Sequence, residues 1–237
     1  MTQIQYPVPW DQVFSLWPHL ANGTKRNVDD FSGSIVRRMS PTPHLLGLEH
    51  LPQSPKFLLV ANHYQRKGLW IVHVASVLTQ AIAERYGRAI DPPVHWMVTA
   101  NWPPWKLGPW SFPSPGDFLL PRVAEALSCF PVSFAGANPA YTAATLKRIL
   151  KAVPTLERPI GLFPEGVAGV AGQLTEPLPG VDRFIALLAK RGWPALPAGV
   201  SEDGRFLVRF GAALPPAELL AASDPAALLM SRIGELL

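Results

Sequence analysis

One apolar run of this chain ends in a histidine, and another, much further along, ends in a glutamate. The first is Phe57-Leu58-Leu59-Val60-Ala61-Asn62-His63; the second is Ile160-Gly161-Leu162-Phe163-Pro164-Glu165-Gly166. Imidazole, with an ordinary pKa of about 6.5, can take a proton from a hydroxyl near neutral pH and give it back. A carboxylate nearby can orient such a ring or stabilise its charged form. Each run is short, apolar and bounded by turn-forming residues, so each reads as a buried strand with a polar residue at its end. In open α/β sheets ligands gather outside the carboxyl ends of the strands, so His63 and Glu165 are expected to share one site. Arg66 and Lys67 follow His63 closely and would favour its neutral form while attracting phosphate.

The elements that must position these residues alternate along the chain. Strands are expected near 44–48, 56–61, 94–100, 129–134, 159–163, 194–200 and 205–210, and helices over 69–86, 119–128, 139–152, 180–191 and 225–237. Asp224-Pro225 supplies an N-cap and a first-turn proline for the last helix. In the helix 69–86, His73, Ser76 and Gln80 fall on one stripe with apolar residues elsewhere, the pattern of a largely buried helix. A length of 237 residues suits one domain. The expected fold is α/β: a single domain over 41–237 with a mixed, mostly parallel central sheet flanked by helices, plus a short N-terminal helical appendage over 1–40.

Two segments depart from the alternation. In 1–40, Trp10, Val13, Phe14 and Trp17 recur at helical spacing, an aromatic face that suits either packing on the main domain or a membrane interface, with Arg37 and Arg38 toward anionic headgroups. In 101–121, six prolines exclude a long regular element, while Trp102, Trp105, Trp110, Phe112 and Phe118 crowd together. A loop of that kind is a lid, a binding loop, an interfacial anchor or a proline-stiffened cover for the core. Gly169 and Gly172 suggest a mobile loop after Glu165, without the Gly-Lys pairing of a phosphate cradle.

Composition narrows the partners. The net charge of +4 without any long Lys/Arg run argues against nucleic acid and fits an acidic lipid surface or a phosphate-bearing co-substrate. Cys129 is the single cysteine, so no internal disulfide or cysteine-based zinc cluster exists, and its apolar surroundings mark a buried, inert thiol. Trp10, Asp11 and Gln12 interrupt the stretch a signal peptide would need, and no window approaches the roughly 18–20 apolar residues of a spanning helix. The expected location is cytoplasmic, with peripheral contact on the inner face of the membrane.

Ala61-Asn62-His63 together with Phe163-Pro164-Glu165-Gly166 resembles the phospholipid/glycerol acyltransferase superfamily, typified by lysophosphatidic acid acyltransferases. Pro194-Ala195-Leu196-Pro197-Ala198-Gly199-Val200 resembles the family's final block, and order and spacing match over roughly 44–200. The resemblance implies transfer of a fatty acyl group from acyl-CoA or acyl carrier protein to a hydroxyl of a lipid-type acceptor. His63 would be the general base and Glu165 would share the catalytic site, with Asn62, Arg66, Phe163, Pro164 and Gly166 contacting substrate. No metal or resident cofactor is implied, because the thioester already carries the activation.

The chain departs from the family at three places. Gly68 stands where the family has the Asp that orients its His, and Glu165, then Asp117, are the candidate replacements. Val167 and Ala168 replace the family's Thr-Arg, and the segment Phe130-Pro131-Val132-Ser133-Phe134 lacks the Arg that ends its middle block. Those arginines serve phosphate recognition. Either the acceptor is less charged, or Arg66, Lys67, Arg122 or Lys147 compensates. The alternative to an enzyme is a non-catalytic acyl- or lipid-binding relative, and a hydrolase using the same base is a third reading.

Overall fold

The four residues of β2 (Leu58–Ala61) are buried on both faces, as an all-apolar run requires of a central strand. β7 (Ile160–Leu162) pairs with it on one side and β8 (Ala195–Glu202) on the other, both in parallel. β3 (His95–Thr99) lies parallel outside β7, and β6 (Phe130–Val132) parallel outside β3. Beyond β8 the direction reverses: β9 (Phe206–Phe210) is antiparallel to β8, and β1 (His44–Leu46) joins β9 in parallel. The result is a seven-stranded sheet in the order β1-β9-β8-β2-β7-β3-β6. The computed structural model describes residues 4–7, 10–101, 105–108, 110–112, 114, 116–133, 138–166 and 173–237, without the side chains of 105–107 and 111.

Alternation along β2 divides the core. Leu59 and Ala61 face a cluster with Val74, Leu78 and Ile82 of α4 (Ile71–Tyr86), while Leu58 and Val60 face Ile149, Phe184, Leu188 and Leu229. The second group comes from α6 (Pro139–Ala152), α7 (Val181–Ala189) and α9 (Pro225–Gly234). Asp224 caps α9 as expected, accepting from the N–H groups of Ala226 and Ala227 at 2.9 Å each. A short α8 (Pro216–Ala221) lies between β9 and α9. Every strand and helix expected over 41–237 is present, so the α/β reading holds. Cys129 is partly buried, and its surroundings push the thiol up to about 12.

The expectation of a loop without regular structure over 101–121 needs correction. β4 (Trp105–Leu107) and β5 (Trp110–Phe112) form a small antiparallel hairpin, and α5 (Gly116–Ala126) begins earlier than the pattern suggested, carrying Pro121 within it. The prolines exclude only long elements, and a three-residue strand tolerates flanking prolines. Trp110, Phe112 and Phe118 are exposed. Trp102 and the glycines at 169 and 172 lie outside the described residues, as does the Trp105 side chain.

The first forty residues return to the body of the protein at both ends. Gln5 bridges to Ser40, and the Tyr6 hydroxyl donates to Glu202 of β8. Between them run α1 (Trp10–Phe14), α2 (Trp17–Asn22) and α3 (Val28–Val36). The buried polar stripe of α4 explains why α3 packs there. Gln80 Nε2 donates to Asp29 Oδ1 at 2.8 Å and to the Asp29 carbonyl at 3.0 Å, and Arg88 pairs with the same Asp29. His73, fully buried, accepts from Trp70 N–H at Nδ1 (3.1 Å), which leaves Nε2 to donate to the Pro7 carbonyl (3.4 Å). Trp10, Phe14 and Trp17 remain more than half exposed.

Gly161 of β7 faces Trp96 of β3, and a Cβ at 161 would lie 2.3 Å from the Trp96 ring. Gly161→Ala is expected to displace that ring and destabilise the protein by about 1–3 kcal/mol. A lowered urea midpoint with unchanged slope is the expected readout; an unchanged midpoint would mean the ring moves without cost.

Candidate functional site

β2 and β7 are register neighbours, Leu58 opposite Ile160 and Val60 opposite Leu162, so their carboxyl ends emerge side by side. His63 leaves the first and Glu165 the second. Glu165 is 1% exposed, and its carboxylate is held by backbone donors on both sides. Its Oε2 accepts from the His63 N–H at 2.5 Å; its Oε1 accepts from the Thr175 N–H at 2.7 Å and the Thr175 hydroxyl at 3.2 Å. The Glu165 carboxylate therefore ties two strand ends and the 173–180 segment together, and it holds the backbone of His63, not its ring.

Asn62 is buried and makes a second tie. Its Nδ2 donates to the Val200 carbonyl at 3.0 Å, and its Oδ1 accepts from the Val200 N–H at 2.7 Å. The side chain prolongs the β2–β8 ladder by one step beyond Ala61, with both functions of the amide used on the backbone. Together Asn62 and Glu165 fix His63 from both neighbouring strands.

The half-buried His63 ring stands edge-on to Phe163, centroids 5.7 Å apart, and Phe163 stacks on Trp96 at 4.9 Å and 8°. Trp96 Nε1 donates to the Thr79 hydroxyl at 2.9 Å. An aromatic column thus crosses the sheet's upper edge from β2 to β3. Burial lowers the His63 pKa, opposed by the negative charge of Glu165, so the ring is held as the neutral base. Its Nδ1 is buried and has no hydrogen-bond partner among the described residues. Neither Glu165 nor any other described carboxylate takes the place of the family's Asp at that atom. At the corresponding position Gly68 sits in a turn with φ +85°, a conformation that favours glycine.

The remaining expected site residues divide by role. Pro164 and Gly166 build the turn: the Pro164 carbonyl accepts from Leu178 N–H at 2.9 Å, and Gly166 has φ +63° with Leu178 2.2 Å from where a Cβ would be. Arg66 pairs with Glu202, which also receives the Tyr6 hydroxyl, and the Arg66 side chain stays about half exposed. Arg122 folds over the Phe118 ring and donates to the Phe118 carbonyl at 3.0 Å. Lys67 and Lys147 point to exposed surface. Val167, Ala168 and Phe134 lie outside the described residues.

A cavity of about 310 Å³ opens two strands away, at the carboxyl ends of β3 and β6, lined by Asn101, Asp117, Ser133, Asn138 and Tyr141 among others. Of these, sequence reasoning singled out only Asp117 and Ser133. Asn101, Asn138 and Tyr141 belong to no motif, and only the closing of α5 and α6 over the strand ends brings them together.

No protein-family model and no curated protein matches the chain. Among solved structures, the fold is similar to the 1-acyl-sn-glycerophosphate (LPA) acyltransferase PlsC from Thermotoga maritima, with a TM-score of 0.55 and 13% identity. The similarity covers 88% of this chain and 76% of that one, and at this identity it speaks for the fold. The chain therefore has the fold of an acyltransferase.

Glu165→Gln would turn an amide N–H₂ toward donors that now meet a carboxylate. A loss of about 1–3 kcal/mol is expected, since a buried donor is left without an acceptor. His63→Ala removes no side-chain hydrogen bond at the orphaned Nδ1 and is expected to cost under about 1 kcal/mol. Denaturant midpoints of the two variants check this, and equal losses would contradict the backbone-clamp role of Glu165.

Proposed function

We propose that this protein is an acyltransferase that moves a fatty acyl group from an acyl thioester, acyl-CoA or acyl carrier protein, to a hydroxyl of a lipid-type acceptor. The observation that carries the reading is the neutral His63 ring at the carboxyl end of a central strand, gripped by Asn62 and Glu165, in a fold similar to that of an LPA acyltransferase. His63 takes the acceptor's hydroxyl proton as the oxygen attacks the thioester carbonyl. The tetrahedral intermediate then collapses, the carbon–sulfur bond breaks, and the departing thiolate receives the proton from the imidazolium. The oxygen ester and free thiol are the products, and no resident cofactor is needed. Phe163 gives the ring an apolar wall, which keeps it neutral, while Glu165 holds its backbone and partly offsets the burial.

The reaction is proposed to take place at the cytoplasmic face of a membrane. Trp10 stands 6.3 Å from Phe14 and 6.2 Å edge-on from Trp70, which directly follows the loop carrying His63. These three rings make an exposed aromatic cluster, and Trp17, Arg37 and Lys67 are exposed as well. Arg38 is tied to Asp11 at 2.5 Å, which fixes α1 to the end of α3. No described helix is long and apolar enough to cross a membrane. The Trp10→Ala/Phe14→Ala double variant is expected to lose most of its sedimentation with anionic liposomes; undiminished sedimentation would remove the cluster from the membrane contact.

A non-catalytic lipid-binding relative is the second reading, favoured by one observation, the unpartnered Nδ1 of His63. Thiol release from acyl-CoA in the presence of a panel of lipid alcohols separates the two. Acceptor-dependent release is expected in the wild type and a loss of at least about 10²-fold in His63→Ala, in line with general-base catalysis. Binding of acyl-CoA with no release from any acceptor would support the second reading. Because burial lowers the His63 pKa, the base form persists below the ordinary value of 6.5. The acid limb of kcat/KM is therefore expected below pH 6.5, activity falling as pH drops through it. A limb above that value would contradict the assignment.

A further inference from the structure

We propose that the outward face of α6 and α7 is a docking surface for an acidic protein, and that this partner is the carrier protein that delivers the acyl thioester. The proposal rests on the acyltransferase reading and makes the carrier-bound thioester the preferred donor over acyl-CoA. Three observations carry it.

The first is where the charge of the chain sits. Lys147, Arg148 and Lys151 stand on the exposed stripe of α6, and Arg183, Lys190 and Arg191 are exposed along α7 and just beyond it. Against these six cations, the stretches 139–152 and 181–191 hold one acidic residue, Asp182. The rest of the chain has slightly more acidic than basic residues, so the whole positive excess of +4 is carried on these two helices. All 17 Asp and Glu lie among the described residues, and none forms an ion pair with the six. A surface that only has to be soluble intersperses both signs; a single-sign face steers an oppositely charged partner.

The second is the shape of the face. α6 links β6 to β7 and α7 links β7 to β8, so the two helices lie side by side and run in the same direction. Leu187 is exposed on α7, one turn from Arg183 on one side and one turn from Lys190 and Arg191 on the other. An apolar residue with cations on both sides is the anatomy of a small protein interface, with an apolar centre and a polar rim. α7 begins just after Leu178, which packs at the Gly166 turn and donates its N–H to the Pro164 carbonyl. One end of the face therefore stands beside the turn that carries Glu165, and the nine residues of α7 extend it by about 14 Å.

The third is which side of the sheet it occupies. Leu59 and Ala61 face α4, while Leu58 and Val60 face α6 and α7, so the basic face belongs to the opposite layer from α4. α4 begins directly after Trp70 of the aromatic cluster, so a membrane met through Trp10, Phe14 and Trp70 leaves the α6–α7 face turned away. The phosphates of a CoA would occupy a compact cluster of cations. Six cations spread over two helices match an extended acidic surface.

The test titrates purified acyl carrier protein into the full chain at low and physiological salt, and compares the carrier-bound thioester with acyl-CoA as donors in thiol release. The wild type is expected to bind the carrier, more weakly as salt rises, and to use its thioester with a kcat/KM at least about tenfold higher. The double variants Lys147→Glu/Lys151→Glu and Arg183→Glu/Lys190→Glu, all at exposed positions, are each expected to weaken carrier binding at least about tenfold. KM for the carrier-bound donor rises with it, while kcat, turnover of acyl-CoA and the circular dichroism spectrum stay as in the wild type. Absence of carrier binding, or binding that neither salt nor either variant weakens, would overturn the proposal. So would a loss of sedimentation with phosphatidylglycerol vesicles in the same variants, which would assign the face to a membrane. Salt-sensitive binding that both variants weaken, without thiol release from either donor, would uphold the dock and overturn the transferase reading.

Discussion

The site is organised by one buried carboxylate. Glu165 accepts hydrogen bonds from the backbone of His63 and from the backbone and hydroxyl of Thr175, so three separate stretches of chain meet on its two oxygens. A carboxylate is acceptor-only and can satisfy several donors at once, which an amide or hydroxyl of similar size cannot. Burial at 1% exposure would be costly for an unpaired charge, and the backbone donors offset that cost. Asn62 does the same from the other flank, prolonging the β2–β8 pairing with its amide. The catalytic-type residue is thereby held by its backbone, while its half-buried ring packs edge-on against Phe163.

That arrangement also explains what the neighbouring residues are for. Pro164 and Gly166 shape the turn that brings Glu165 back under β2, and Leu178 fills the space a side chain at 166 would need. Gly161 makes room for Trp96, whose ring supports Phe163, and Phe163 in turn supports His63. The Phe-Pro-Glu-Gly run thus reads as a mechanical unit, with a wall, a turn, a clamp and a close approach in successive residues. At the imidazole itself the orienting carboxylate is absent: Nδ1 has no partner among the described residues, and Gly68 occupies a left-handed turn.

The N-terminal segment is joined to the same machinery. Tyr6 and Arg66 converge on Glu202 at the end of β8, and His73 links α4 to Trp70 and Pro7. The polar stripe on α4 is satisfied by Asp29 of α3, so these buried polar groups hold the segment to the domain while the aromatic rings of α1 and α2 stay exposed. The segment is tied to β8 through Tyr6, and the exposed ring of its Trp10 stands edge-on to Trp70 at the end of the loop bearing His63.

Much of this was legible in the linear order of residues. Apolar runs ending in His63 and Glu165, the alternation of strand and helix patterns, and the Asp224-Pro225 cap are local signals, and local signals follow from periodicity and turn chemistry. That the two runs belong together was legible from their shared motif character. The partner of each polar group was not, because a hydrogen-bond acceptor is chosen by strand order: inserting β7 between β2 and β3 puts Glu165 against the backbone of His63, and β8 on the other flank gives Asn62 its partner in Val200. The short hairpin over 105–112 escaped because proline content argues against length, not against a brief pairing. Sequence alone determined which residues stand at the strand ends and how the chain divides into elements. The tertiary structure decided that Glu165 clamps backbone, that Arg66 pairs with Glu202, and that Asn101, Asp117 and Tyr141 share one cavity, since each depends on distances between segments far apart in the chain.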